Sequence, residues 1–300
     1  MSSLSFKYKL ADKGLSLLAS LPLPALYALV APVRFVMHRI VGYRKKVIRQ
    51  NLINSFPEKN KKEIRQITDR FYHHLCDNIV ETIKLRHISD KELARRMRIE
   101  NPEVVNDILS SGTPVVLLLG HIGNWEWVPQ LTMSVSVRTP FGEIYRPMHD
   151  KQWGEIIHNL RDRWDNVTQI PQDDAIKTIF RWNREGVWIV GFLADQRPNN
   201  RNLNHWATFL HQDTPVVVGP EQIGRHTNAR FVYADISKTS RGHYSIHYHE
   251  ITLPERSDSP FPVMREYLNL LEMTIRRDPA LWLWSHKRWK YPRPEKCQDI

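Results

Sequence analysis

Apolar residues follow three patterns along the chain, and each predicts a different kind of element. Between Lys13 and Arg34 no charge interrupts the sequence, and residues 15–37 hold 17 apolar side chains broken by Pro22, Pro24 and Pro32. Twenty uncharged residues are just enough to cross a bilayer, yet proline inside a helix removes a hydrogen bond and clashes with the preceding turn. The stretch therefore predicts a kinked spanning helix, a helix lying in the membrane interface, or a buried helical hairpin. Farther on, Ile64, Ile67, Phe71, Leu75, Ile79 and Ile83 recur at three- and four-residue steps, which predicts an amphipathic helix over 58–88.

A third pattern begins at Pro114. The run Val115-Val-Leu-Leu-Leu119 is continuously apolar and bounded by turn residues, as in a strand buried on both faces of a parallel sheet. Val187–Leu193 repeats it, Val216–Val218 is a short third candidate, and Phe141–Tyr145, Phe231–Ile236 and Tyr244–Ile251 complete the predicted strands. Helical patterns separate them, from Asn101-Pro102 to Gly112, from Gly123, and over 150–163 and 173–184. Strands alternating with helices predict an α/β layered sheet flanked by helices. The expected division is a membrane anchor with a basic flank over 1–50, a helical segment over 51–110 and an α/β core over 111–300.

Charge and cysteine content narrow the setting. Among 300 residues, 43 Lys and Arg against 32 Asp and Glu give a net charge of +11, which points to acidic or anionic partners. Two cysteines, Cys76 and Cys297, are too few for a disulfide framework or a cysteine-based zinc site. Residues 34–49 carry Arg34, Arg39, Arg44, Lys45, Lys46 and Arg49 with no acid, so the bulk of the chain is expected on the cytoplasmic side, with the cluster drawn to anionic lipid. His243, Ser245, His247 and His249 alternate along one predicted strand, where an i, i+2 pair could bind zinc, but no third ligand for such a pair is evident and no metal site is expected. Trp284 to Lys290 mixes cations with aromatics, fitting an interfacial anchor, a carrier-protein docking patch or a plain helix end; no nucleic-acid-binding motif accompanies it.

The chemistry concentrates just after the first buried strand, in Gly120-His121-Ile122-Gly123-Asn124-Trp125-Glu126. Open α/β sheets bind ligands beyond the carboxyl ends of their strands, and a histidine there can take a proton near neutral pH. Glu126 would not share a face with His121 on a regular helix; the two meet only if the chain turns, which Gly120 and Gly123 permit. Glu126 would then hold the imidazole tautomer. The plain alternative is a histidine capping a turn and a glutamate in a helix's first turn.

This segment resembles the His-x4-Asp/Glu motif of glycerolipid-type acyltransferases, and further blocks are similar to the lipid A biosynthesis acyltransferases of lauroyl- or myristoyl-transferase type. They are Tyr145-Arg146-Pro147, Arg161, Asp195-Gln196 and Trp282-Leu-Trp-Ser-His-Lys-Arg-Trp-Lys290. The resemblance implies a glycerolphosphate-acyltransferase-like fold on the cytoplasmic face of the inner membrane. It implies transfer of a fatty acyl group from acyl carrier protein to a hydroxyl of a membrane glycolipid, a lipid A precursor, with no cofactor beyond the donor thioester. His121 would be the general base and Glu126 its partner, with Arg146, Arg161 and Asp195 binding substrate; Arg146 could hold a phosphate. The sequence departs from the family after Asp195, where Asn204 to His211 lacks the usual glycines. An acyltransferase for another lipid and a non-catalytic lipid- or carrier-binding scaffold are the competing expectations.

Overall fold

Proline sets the first elements of the computed structural model, which describes residues 4–198, 203–254 and 256–300. Helix α1 (Phe6–Ser20) ends where Leu21 and Pro22 turn extended, and α2 (Leu23–Phe35) starts with Pro24 in its first turn, where a missing N–H costs nothing. The helix continues through Pro32 and loosens into a π turn over Val36–Ile40. The uncharged stretch is thus two helices, of which Leu23–Ile40 has the length and mean hydropathy, 1.2, of a candidate membrane span. Both helices pack on α4.

Helix α3 (Lys45–Ser55) leads into α4 (Lys61–Lys84), which begins at a capping box: Asn60 accepts from the amides of Lys62 and Glu63, and Glu63 accepts from the amide of Asn60. Helix α5 (Asp90–Arg96) and strand β1 (Met97–Ile99) follow, then α6 (Glu103–Ser110), β2 (Val115–Leu119) and a 3₁₀ helix over Trp125–Met133. Next come β3 (Phe141–Tyr145), α7 (Lys151–Arg161), β4 (Val167–Pro171), α8 (Ala175–Glu185) and β5 (Ile189–Leu193). The chain closes with β6 (His205–Phe209), β7 (Gln212–Pro215), α9 (Gly219–Thr227), β8 (Arg230–Ser240), β9 (His243–Ile251), α10 (Pro262–Arg277) and β10 (Gln298–Asp299).

Seven strands form the main sheet in the order β1-β9-β8-β2-β5-β3-β4, parallel throughout except for the β8–β9 hairpin. β2 lies at its centre with all five residues buried, and each such apolar side chain stabilises the fold by about 2 kcal/mol. Its side chains alternate between two cores. Val116 and Leu118 join Leu52 of α3, Phe71 of α4 and Leu271 of α10, while Val115 and Leu117 join Leu26 and Val30 of α2 and Ile108 of α6. Helices on both faces of a mostly parallel sheet make the expected α/β layers.

The strand expected at Val216–Val218 falls instead on Gln212–Pro215, which pairs antiparallel with β6 in a second, three-stranded sheet with β10. The β6–β7 turn places Leu210 at φ +49° and His211 at φ +62°. Two left-handed residues are what a tight hairpin requires, and glycine or asparagine supplies them at least cost. Here Leu210 and His211 occupy those positions, in the stretch that lacks glycine. β1 and β4 escape the sequence pattern because one has three residues and the other is an edge strand ending in proline.

Candidate functional site

The site is assembled at the carboxyl end of the central strands. β2 and β5 pair in parallel from Val115 with Ile189 to Leu119 with Leu193. Two residues beyond each last pair stand His121 and Asp195, so the strand register itself delivers the two side chains to one another. The imidazole Nδ1 lies 2.7 Å from Asp195 Oδ1, and the His121 amide donates to Asp195 Oδ2 at 2.9 Å. Trp282 Nε1 donates to the same Oδ2 at 2.7 Å.

Asp195 is buried, and burial alone would raise its pKa; the charge of His121 and the hydrogen bonds from the imidazole, the His121 amide and Trp282 outweigh it and hold the carboxyl below its usual range. It is therefore a carboxylate that accepts from Nδ1 of His121, an arrangement that in the neutral ring leaves the lone pair on Nε2. Gln196 Nε2 lies 3.4 Å from His121 Nδ1 and 3.2 Å from His121 Nε2. Nearly equal distances to both ring nitrogens put this amide over the face of the ring, out of line with the lone pair. Trp125 meets the ring edge-on, with centroids 5.1 Å apart.

Backbone geometry in the loop depends on its glycines. Ile122 N donates to Gly120 O at 2.7 Å, closing a three-residue turn around His121. A Cβ on Gly120 would stand 2.7 Å from Leu271 Cδ1. Gly123 has φ +57°, and a Cβ there would stand 2.8 Å from Ile236 Cγ2. The terminal segment clamps the same loop: Leu283 N donates to His121 O at 3.1 Å, and Gly123 N to Leu281 O at 3.2 Å.

The turn does not bring Glu126 to His121 as its hydrogen-bond partner. Glu126 accepts from Arg161 instead, at 2.8 Å from Nε and 2.7 Å from Nη2, a bidentate pair between the 3₁₀ helix and the end of α7. Asp195, expected among the substrate-binding residues, occupies the place beside the imidazole. Burial works against the charged guanidinium of Arg161, but Glu126 and Glu143 raise its pKa above the usual value. Glu143, on β3, has a buried Oε2 with no hydrogen-bond partner among the described residues, and its carboxyl is pushed up to about 8, chiefly by burial and further by the charge of Glu126. Arg146 is exposed just past the end of β3.

Sequence reasoning misses three neighbours of this site. Trp282 is visible only as part of a terminal aromatic block, with nothing in the spacing to aim it at Asp195. Glu81 lies inside the helical pattern of α4, where a lone carboxylate reads as solvated; it is fully buried and accepts from Asn124 Nδ2 at 2.8 Å. Arg288 is also buried, and its Nη2 donates to Pro215 O at 2.7 Å. Burial lowers its pKa to about 10, and the nearby charge of Asp195 opposes that shift.

Against known proteins, residues 8–291 match the family described as bacterial lipid A biosynthesis acyltransferase. No curated protein matches the chain.

Proposed function

Since the chain belongs to the bacterial lipid A biosynthesis acyltransferases, we propose that it transfers a fatty acyl group from the thioester of acyl carrier protein to a hydroxyl of a lipid A precursor, with His121 as general base. The observation that carries this reading is the Asp195–His121 pair, 2.7 Å apart at the carboxyl edge of a parallel sheet. The frame around it is of the glycerolphosphate-acyltransferase-like kind.

Nε2 of His121 takes the proton of the acceptor hydroxyl as its oxygen attacks the thioester carbonyl carbon. Asp195 keeps Nδ1 protonated and stabilises the imidazolium that forms. The tetrahedral oxyanion collapses, the carbon–sulfur bond breaks, and the proton on Nε2 passes to the departing thiolate. Ester and free carrier thiol are the products, and the imidazole is neutral again. The guanidinium of Arg161 is the proposed donor that steadies the negative oxygen. Glu126 acts by fixing Arg161, and exposed Arg146 offers a fork for a phosphate of the acceptor. No cofactor enters this scheme.

Membrane attachment is supported by a one-sided apolar surface. Phe6, Leu10 and Leu17 of α1, with Leu29, Val33, Phe35, Val36 and Ile40 of α2 and its π turn, are exposed, while Leu23, Leu26, Tyr27 and Val30 face the protein. Such a patch marks a lipid or partner surface. Lys45, Lys46 and Arg49 of α3 follow directly, exposed and, among the described residues, without an ion-pair partner. Apolar face and basic flank together suit the anionic cytoplasmic leaflet of the inner membrane.

Mass spectrometry of lipids from cells with and without the protein tests the proposal. Loss of one acyl group from lipid A is expected; loss of an acyl group from a different lipid would reassign the acceptor, and unchanged lipids in cells lacking any second acyltransferase of this family would contradict catalysis.

A further inference from the structure

The loop that carries His121 and Glu126 is held from below by one buried carboxylate. Glu81 lies on α4, fully buried, and three donors from three other parts of the chain converge on it. Tyr27 Oη of α2 donates to Oε1 at 2.7 Å, Tyr244 Oη of β9 to Oε2 at 2.8 Å, and Asn124 Nδ2 to Oε2 at 2.8 Å. Its backbone carbonyl accepts from Trp127 Nε1 at 3.1 Å. Asn124 and Trp127 bracket Glu126, and Asn124 stands three residues from His121.

The same helix fixes the intervening residue. Asn78 Nδ2 donates to Gly123 O at 2.9 Å, and His74 Nε2 lies 3.2 Å from that oxygen. Desolvation pushes the Glu81 carboxyl up and the three hydrogen bonds pull it back, so the group is retained in the core at a cost that packing alone would avoid. An apolar side chain of similar size would fill the space without that cost. What it could not do is fix the direction of the Asn124 amide and, through it, the turn between His121 and Glu126.

We infer that Glu81 is a positioning residue for the acyl transfer: it sets the turn that aims His121 and Glu126 and ties that turn, through Tyr27, to helix α2. The inference rests on the reading of His121 as the base. It gives α2 a second task. The helix whose outer face is apolar reaches the reaction centre through two hydrogen bonds, Tyr27 to Glu81 and Asn124 to Glu81, so the seat of α2 is felt at the loop.

The test uses the full chain in detergent micelles, with an acyl carrier thioester as donor and a lipid A precursor as acceptor. Glu81→Leu removes all three hydrogen bonds at nearly constant volume. Glu81→Gln keeps them, because its carbonyl accepts from Tyr244 and Asn124 while the Tyr27 hydroxyl turns to accept from its amide. Glu81→Leu is expected to lower kcat by about 10- to 100-fold, the scale of a misplacement near 1 Å, with KM for the donor nearly unchanged. Glu81→Gln is expected to restore kcat to within about threefold of the parent, since its hydrogen bonds are kept.

A folded Glu81→Leu protein with the parent kcat overturns the inference. So does a Glu81→Gln protein as slow as Glu81→Leu, because charge rather than positioning would then be at work. Should Glu81→Leu fail to fold, Tyr27→Phe decides: it deletes one hydroxyl, and a lower kcat with an unchanged melting temperature supports the link, whereas the parent kcat overturns it. His121→Ala runs alongside. If it acylates at the parent rate, the assignment of the base fails and takes this inference with it; if it is inactive while Glu81→Leu is not, only the inference fails.

Discussion

His121 and Asp195 are 74 positions apart, the same offset that pairs each residue of β2 with its partner on β5. The contact between them is therefore a continuation of the strand register past the last ladder pair. A site built this way inherits the rigidity of the sheet centre, where Val115 to Leu119 are buried. It also keeps two pairs apart, Asp195 with the imidazole and Glu126 with Arg161.

Asp195→Asn should leave the fold intact and cripple the reaction. An amide beside Nδ1 favours the wrong tautomer, and loss of the orienting carboxylate in a catalytic triad costs about 10⁴ in rate. A large loss in single-turnover acyl transfer with a near-native melting temperature is the expected pair of results; an Asp195→Asn rate within about tenfold of the parent refutes the orienting role, tenfold being about 1.4 kcal/mol.

Glu143 makes stability depend on pH with a defined sign. Its folded carboxyl is raised to about 8 from an ordinary 4.5. Between those values the unfolded chain gives up a proton that the folded chain keeps, so stability is fully present below about 4.5, falls as pH rises and levels off above 8. Glu143→Gln removes that slope. Thermal unfolding should find the variant close to the parent at about pH 4.5 and more stable at about pH 8; parallel curves for the two proteins would mean that Glu143 is ionised in the fold.

Gly123→Ala should be severe for two reasons. The residue sits at φ +57° and its new Cβ would stand 2.8 Å from Ile236 Cγ2. Left-handed backbone alone costs a non-glycine residue about 1–2 kcal/mol, and the clash adds to it. Chemical denaturation should register a loss of at least that size together with reduced activity; a neutral substitution would place the loop differently.

His211→Gly should stabilise. His211 holds φ +62° in the β6–β7 turn, and glycine relieves that strain while adding freedom to the unfolded chain. The two effects oppose each other, leaving a net gain of about 0.5–1 kcal/mol. A rise in melting temperature of a few degrees is the expected reading, and a fall would mean that the contact of His211 with Arg276 at 3.1 Å outweighs the strain.

How far the sequence reveals this arrangement depends on whether a signal is local. Continuous apolar runs locate β2 and β5 within two residues, and β2, buried along its whole length, leaves no polar position to confuse its pattern. The α4 periodicity is equally clear. Pro22 marks the break between α1 and α2, but only packing against α4 decides which of their faces turns inward. Among the candidate site residues, His121 and Glu126 are visible as a spaced pair, yet their partners lie 74 and 35 positions away. Spacing within one loop cannot anticipate that each partner comes from a different element, the end of β5 for His121 and α7 for Glu126. Glu81 and Trp282 carry no local signal, since their meaning comes from what they reach across the fold.

The most direct test of the account is acyl transfer in vitro from an acyl carrier thioester to a lipid A precursor, comparing the parent with His121→Ala, both confirmed folded. The account predicts one acyl group added by the parent and a rate for His121→Ala lower by about 10³-fold or more, the usual scale for removing a catalytic base. Equal rates for the two proteins would contradict it.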